Sequence, residues 1–133
     1  EFSKFLKIKD QYVLVILGKG EEKNNLIKLI KKKNLSNSVY LLGNVKNVYD
    51  FMRSSDVFVL SSLWEELGFV IAEAALNNLF IISSDCPNGP KEFLNYGKNG
   101  IIYSTNKENS LLGEQTLHIK TTLVFLLMNL TLE

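Results

Sequence analysis

A chain of 133 residues that is 46% apolar and 22% charged, with 15 Lys plus Arg against 14 Asp plus Glu, has the composition of one ordinary globular domain. At this length roughly 65–70% of the unfolded surface can be buried, so neither two domains nor disulfide staples are expected, and the single Cys86 has no partner in the chain. A formal net charge of +1 excludes an electrostatic grip on nucleic acid, which needs a basic field to displace counterions.

Residues 1–10 are too charged for a secretory signal. From Tyr12 onward, short β-branched or apolar runs alternate with longer amphipathic ones, the pattern of a parallel sheet built from βαβ units. The expected strands are residues 12–17, 39–42, 57–60, 80–83 and 100–103, each nearly continuous in apolar side chains, as befits a sheet covered on both faces. The expected helices are residues 22–33, 48–53, 69–77 and 90–96. In the first, Leu26, Ile27, Leu29 and Ile30 supply the apolar positions, and Lys28, Lys31, Lys32 and Lys33 complement the dipole at its end. Pro90 suits the first position of the last helix, and Gly97 suits the left-handed position beyond it. The fold class is α/β, a Rossmann-like open parallel sheet with helices on both faces, over residues 1–112. Residues 113–133 read as a C-terminal helical segment without a clean period. The uncharged, apolar-rich run at 121–132 falls short of the roughly 20 residues that cross a bilayer.

In an open α/β sheet, ligands bind beyond the carboxyl ends of the strands, where helix N-termini converge. This selects the loops at residues 18–21, 43–46, 61–68, 84–89 and 104–107. Gly18-Lys19-Gly20 would let backbone approach a phosphate. It lacks both the Walker pattern and the third glycine of the dinucleotide fingerprint, and by itself reads first as an ordinary strand-to-helix turn. The third loop, Ser61-Ser62-Leu63-Trp64-Glu65-Glu66-Leu67-Gly68-Phe69, says more. It places Glu65 before a helix and Glu73 eight positions later on it. Helical side chains lean toward the N-terminus, so Glu73 can turn back to the same crevice. Two acceptor-only groups there suit a ligand rich in hydroxyls, such as a ribose or hexose. A solvated loop acid and a carboxylate favoured by the helix dipole remain the alternative. Glu73 is flanked by apolar residues on both sides, and if buried it needs a partner.

These residues resemble the C-terminal, nucleotide-sugar-binding half of group 1 glycosyltransferases of the GT-B fold, the retaining E-x7-E type, and particularly the branch that builds bacterial surface polysaccharides. The resemblance rests on ordered blocks: Leu14-Val15-Ile16-Leu17-Gly18-Lys19-Gly20, Val39-Tyr40-Leu41-Leu42-Gly43, Ser55-Asp56-Val57-Phe58-Val59-Leu60-Ser61-Ser62-Leu63-Trp64-Glu65, Ile81-Ile82-Ser83-Ser84-Asp85-Cys86-Pro87-Asn88-Gly89-Pro90-Lys91-Glu92, and Gly97-Lys98-Asn99-Gly100. Together they cover residues 12–112.

Carried over by position, the resemblance implies that Glu65, as the catalytic candidate, faces the donor sugar hydroxyls and that Glu73 holds the ribose of a nucleoside-diphosphate sugar. It further implies that backbone amides of Leu67, Gly68, Phe69 and Val70 meet the sugar and diphosphate, that Gly18 and Gly20 allow close approach to the phosphates, and that Asn44 and Val45 border the base. Glu66 stands where many members have glycine and is expected to face solvent. No metal and no resident cofactor are implied. Residues 2–8 look like the helix after the family's G-R…K segment. Neither that cationic pair nor the acceptor-binding N-terminal half has a counterpart here, and Arg53 in its helix is no substitute.

The expectation is therefore the donor-binding part of a cytoplasmic glycosyltransferase, inactive alone. In the intact enzyme it would serve a saccharide or lipid-linked acceptor, with membrane contact open only to the missing half. Two other readings stay open, a nucleotide-sugar-binding or interaction module without catalysis and half of a GT-B epimerase. A signalling receiver domain is disfavoured, because Gly18-Lys19-Gly20 and Ser61-Ser62 occupy the places of its acids. Cys86 reads as a small buried thiol rather than a nucleophile, since no histidine adjoins it. His118, the single histidine, lies outside the resembling blocks.

Overall fold

The computed structural model describes residues 12–65, 67–104 and, as backbone, 124–129. The expectations for residues 2–8, Glu66 and His118 lie outside the described residues. Chain order is β1 (Tyr12–Leu17), α1 (Lys23–Lys32), β2 (Val39–Gly43), α2 (Val48–Arg53), β3 (Val57–Leu60), α3 (Phe69–Leu76), β4 (Phe80–Ser84), α4 (Pro90–Phe93), a 3-10 turn (Asn95–Gly97), β5 (Ile101–Tyr103) and β6 (Val124–Asn129). The six strands form one sheet in the order β2-β1-β6-β3-β4-β5. β1 and β2, β3 and β4, and β4 and β5 pair in parallel.

The topology follows from chirality. A crossover between parallel strands is right-handed in about 98% of cases, so connections running in opposite directions along the sheet place their helices on opposite faces. From β1 the chain steps outward to β2 through α1, then returns across the sheet through α2 and continues outward through α3 and α4. Packing shows the result. Leu26 and Ile30 of α1 pack with Ile16 and Val39 on one face. On the other face, Val13, Val15 and Leu17 of β1 join Met52, Phe58, Leu60, Ile71, Ala74, Leu79, Ile81 and Leu94. Met52, Phe58 and Leu60 are wholly buried, and each such side chain contributes about 1.5–3 kcal/mol by leaving water. β1 thus divides its side chains between two cores by simple alternation.

Two differences from the sequence reading have physical causes. The C-terminal segment read as helical contains a strand at Val124–Asn129, antiparallel to both β1 and β3. A six-residue apolar run with no clean period fits a strand paired on both sides as well as a helix turn, and periodicity cannot separate them. The rest of that segment lies outside the described residues. The last helix stops at Phe93, because Asn95 and Tyr96 adopt left-handed φ of 46° and 55° around the buried Leu94. Gly97 does take the expected positive φ, 92°, but it ends the 3-10 turn. Pro90 occupies the first turn of α4 as expected, and Glu92 Oε2 accepts the Gly89 N–H at 3.2 Å.

Gly100 leads into β5 where the sheet leaves no room for a side chain. A β-carbon there would lie 2.6 Å from the Ile81 carbonyl oxygen and 3.1 Å from Leu94. Gly100→Ala is expected to lower the unfolding free energy by about 1–3 kcal/mol, the usual cost of overpacking, read as a lower midpoint in urea. Tyr103 supplies a second check. Burial pushes its phenol far above the ordinary value, with Cys86 and Asp85 adding to the shift, and its hydroxyl donates to the Leu60 carbonyl at 3.3 Å. A folded pKa above the unfolded one means stability is fully present below about pH 10 and falls as pH rises beyond it. The urea midpoint is expected to drop as pH rises above about 10 in the native chain and to drop less in Tyr103→Phe.

Candidate functional site

All five parallel strands end at one rim, and the loops after β3 and β4 are fastened to each other there. Ser84, buried at the end of β4, donates its hydroxyl to the Ser62 carbonyl at 2.6 Å. The Glu65 N–H reaches the Pro87 carbonyl at 3.4 Å. Gly89, with φ 123°, runs so close to the neighbouring loop that a β-carbon would lie 3.0 Å from the Leu67 carbonyl oxygen. Gly68, with φ 62°, turns the chain into α3 in a left-handed conformation that other residues adopt at a cost.

The loop held in this way carries Glu65. Its carboxylate is half-buried and accepts a hydrogen bond from the Ser62 hydroxyl. Immediately after it, α3 begins. The Ile71 N–H closes onto the Gly68 carbonyl at 2.9 Å, whereas the amides of Phe69 and Val70 have no carbonyl ahead of them within the helix. These amides and the positive end of the helix dipole make the spot favourable for negative charge. The side chains of Leu67 and Phe69 are exposed, and Val70 packs against the core. What these residues offer a ligand at this rim is main chain.

Glu73 lies one turn into α3 on the same stripe as Phe69. Its flanking residues Ile71 and Ala74 are buried, and Glu73 itself is half-buried. The partner that such a carboxylate needs is Tyr49 of α2, whose hydroxyl donates to Glu73 Oε1 at 3.2 Å. The negative charge of Glu73, together with that hydrogen bond, holds the Tyr49 phenol above its ordinary value. One turn further along both helices, Asn77 Nδ2 approaches Met52 Sδ at 3.8 Å. Tyr49 and Met52 therefore follow Glu73 and Asn77 along a shared seam.

Gly18 and Gly20 line a cleft between the ends of β1 and β2 and the start of α1. There the Gly18 N–H donates to the Gly43 carbonyl at 2.8 Å, joining the ends of β1 and β2. The cleft has Ile16, Leu26 and Leu41 as its floor, with Gly18, Gly20 and Gly43 among its walls. Asn44 is exposed just beyond Gly43, while the Val45 side chain packs against the main core and leaves only its backbone at the rim. The candidate residues thus fall into two groups, Glu65, Leu67, Gly68, Phe69, Val70 and Glu73 around α3, and Gly18, Gly20, Asn44 and Val45 around the ends of β1 and β2.

Three contributors escaped the sequence reading. Ser62 stands three residues before Glu65, a spacing at which hydroxyls commonly bond locally, and that signal was present. Ser84 and Tyr49 gave none, since each acts across more than twenty residues. Cys86 is buried as expected, and burial raises its thiol pKa above the ordinary value. Arg53 pairs with Asp50 on its own helix. Among the described residues, no three His, Cys, Asp or Glu side chains gather in a way that could hold a metal ion. No helix among them is long and apolar enough to cross a membrane.

The sequence that builds these elements is similar to that of known proteins. The family model described as glycosyl transferases group 1 matches residues 2–116. An uncharacterized glycosyltransferase of Methanocaldococcus jannaschii is 45% identical over 74% of this chain and 28% of its own. The N-acetylgalactosamine-N,N'-diacetylbacillosaminyl-diphospho-undecaprenol 4-alpha-N-acetylgalactosaminyltransferase of Campylobacter jejuni is 31% identical over 80% of this chain and 29% of its own. The amylovoran biosynthesis glycosyltransferase of Erwinia amylovora is 34% identical over 74% and 28%. The chain spans less than a third of the length of these curated relatives. With the family's model covering most of its length and the rim built from the matched residues, the chain belongs to the group 1 glycosyltransferases.

Proposed function

We propose that this chain is the donor-binding part of a retaining glycosyltransferase of the E-x7-E type, receiving a nucleoside-diphosphate sugar at the rim around α3. The observation that carries the reading is the pair of half-buried carboxylates, Glu65 before the helix and Glu73 one turn into it, each already holding a hydroxyl donor. Ionised carboxylates only accept hydrogen bonds, so they match sugar and ribose hydroxyls and disfavour phosphate. The diphosphate instead meets the amides of Leu67, Gly68, Phe69 and Val70, where negative charge developing on the leaving group is stabilised by donors already in place.

Glu65 faces the donor sugar and Glu73 the ribose. Gly18 and Gly20 border the phosphates, and Asn44 with the Val45 backbone borders the base. In the full-length enzyme the sugar passes with retention of configuration to a saccharide or lipid-linked acceptor. The Campylobacter jejuni relative, whose name places its acceptor on diphospho-undecaprenol, and the amylovoran relative favour an acceptor of this class. Transfer requires a second lobe to exclude water and orient the acceptor, so this chain alone is expected to bind donor without turnover. A cytoplasmic setting supplies such donors.

Calorimetric titration of the chain with UDP, GDP and ADP, each with and without its sugar, is expected to show one preferred nucleotide. Glu73→Ala is expected to weaken that binding by about 1–3 kcal/mol, the worth of hydrogen bonds to a charged group. Binding of none of the six, or an unchanged affinity in the variant, contradicts the assignment.

A further inference from the structure

Glu73 is half-buried on α3 and turns about three rotatable bonds, and such a side chain on a bare helix samples many rotamers. Recognition of a vicinal diol requires the opposite, a carboxylate whose plane and distance from the helix are set before the ligand arrives. The structure supplies the restraint from another element. Tyr49 stands in the first turn of α2, and its hydroxyl donates to Glu73 Oε1 at 3.2 Å across a sequence separation of 24 residues. A phenol ring rotates about two bonds, and its base is held by α2, which packs Val48, Phe51 and Met52 into the main core. The seam is closed one turn on by Asn77 against Met52, and the Asn77 Nδ2 also donates to the Glu73 carbonyl at 2.8 Å.

We propose that Tyr49 is a positioning residue for ligand recognition at Glu73. By occupying one lone pair of Oε1 it fixes the carboxylate so that Oε2 and the remaining lone pairs are presented to a pair of ribose hydroxyls. The inference rests on the reading that Glu73 meets the ribose. It adds that the specificity for ribose over 2′-deoxyribose is set jointly by α2 and α3. The elements that follow β2 and β3 are joined here at Tyr49–Glu73 and again at Met52–Asn77. Removing the hydroxyl leaves Glu73 charged and present but free to turn, so the loss falls on the ligand that needs both hydroxyls.

The test compares the native chain, Tyr49→Phe and Glu73→Gln in binding UDP, GDP and ADP and their 2′-deoxy counterparts, alongside thermal unfolding of each. Tyr49→Phe is expected to weaken the preferred ribonucleotide by about two- to tenfold, the range of one hydrogen bond. The 2′-deoxy ligand should be nearly unaffected and the melting temperature unchanged, because Tyr49 is about half exposed. Loss of discrimination in Glu73→Gln with full discrimination in Tyr49→Phe overturns the role of Tyr49 and leaves that of Glu73 standing. Equal binding of both sugars by the native chain overturns both. A ligand-free readout checks the contact itself. Titration of the Tyr49 ring carbon by NMR is expected to give a lower phenol pKa in Glu73→Gln than in the native chain, and an unchanged value contradicts the hydrogen bond.

Discussion

Parallel pairing constrains everything else in this molecule. When strands run in one direction, every return must pass over a face of the sheet through a helix or loop, and every carboxyl end arrives at the same edge. The candidate residues come to that edge from segments that are far apart in sequence. α2 and α3 follow strands on opposite sides of β6, yet both begin at the rim and pack into one core on the same face, as right-handed crossovers favour. The Tyr49–Glu73 contact is a consequence of that handedness as much as of the two residues.

Fastening the loops requires more than topology, and here a few small groups decide the geometry. The loop between β3 and α3 has eight residues and no regular structure of its own, so by length alone it would sample many shapes. It is pinned where Ser84 meets Ser62, where Pro87 accepts the Glu65 amide, and where Gly89 passes the Leu67 carbonyl so closely that a β-carbon would crowd it. Each pin comes from the end of β4 or the loop after it. The two loops therefore behave as one platform, on which Glu65 and the opening amides of α3 keep a fixed relation.

Much of this was legible in the residues. β1 and β3 begin and end where their apolar runs do, and α2 occupies the six residues assigned to it, because a buried strand or helix face leaves a periodic trace whatever its neighbours. The sequence also put Glu65 in the loop before α3 and Glu73 on that helix, as the structure has them. The hydroxyls that orient them were not legible, since Tyr49 and Ser84 carry no local pattern and acquire meaning only when the fold brings them to their partners. β6 was missed for a related reason. Its run of Val124, Phe125, Leu126, Leu127 and Met128 is uniformly apolar, and only the vacancy between β1 and β3 makes it a strand.

The central claim is that ligand is held where the loop after β3 becomes α3. Amide shifts of the 15N-labelled chain, followed during titration with the preferred nucleoside diphosphate, test it most directly. The largest shifts are expected at Leu67, Gly68, Phe69, Val70 and Glu73. Shifts confined to the exposed edge of β2 or to the outer face of α1, with those five unmoved at saturation, would contradict the account.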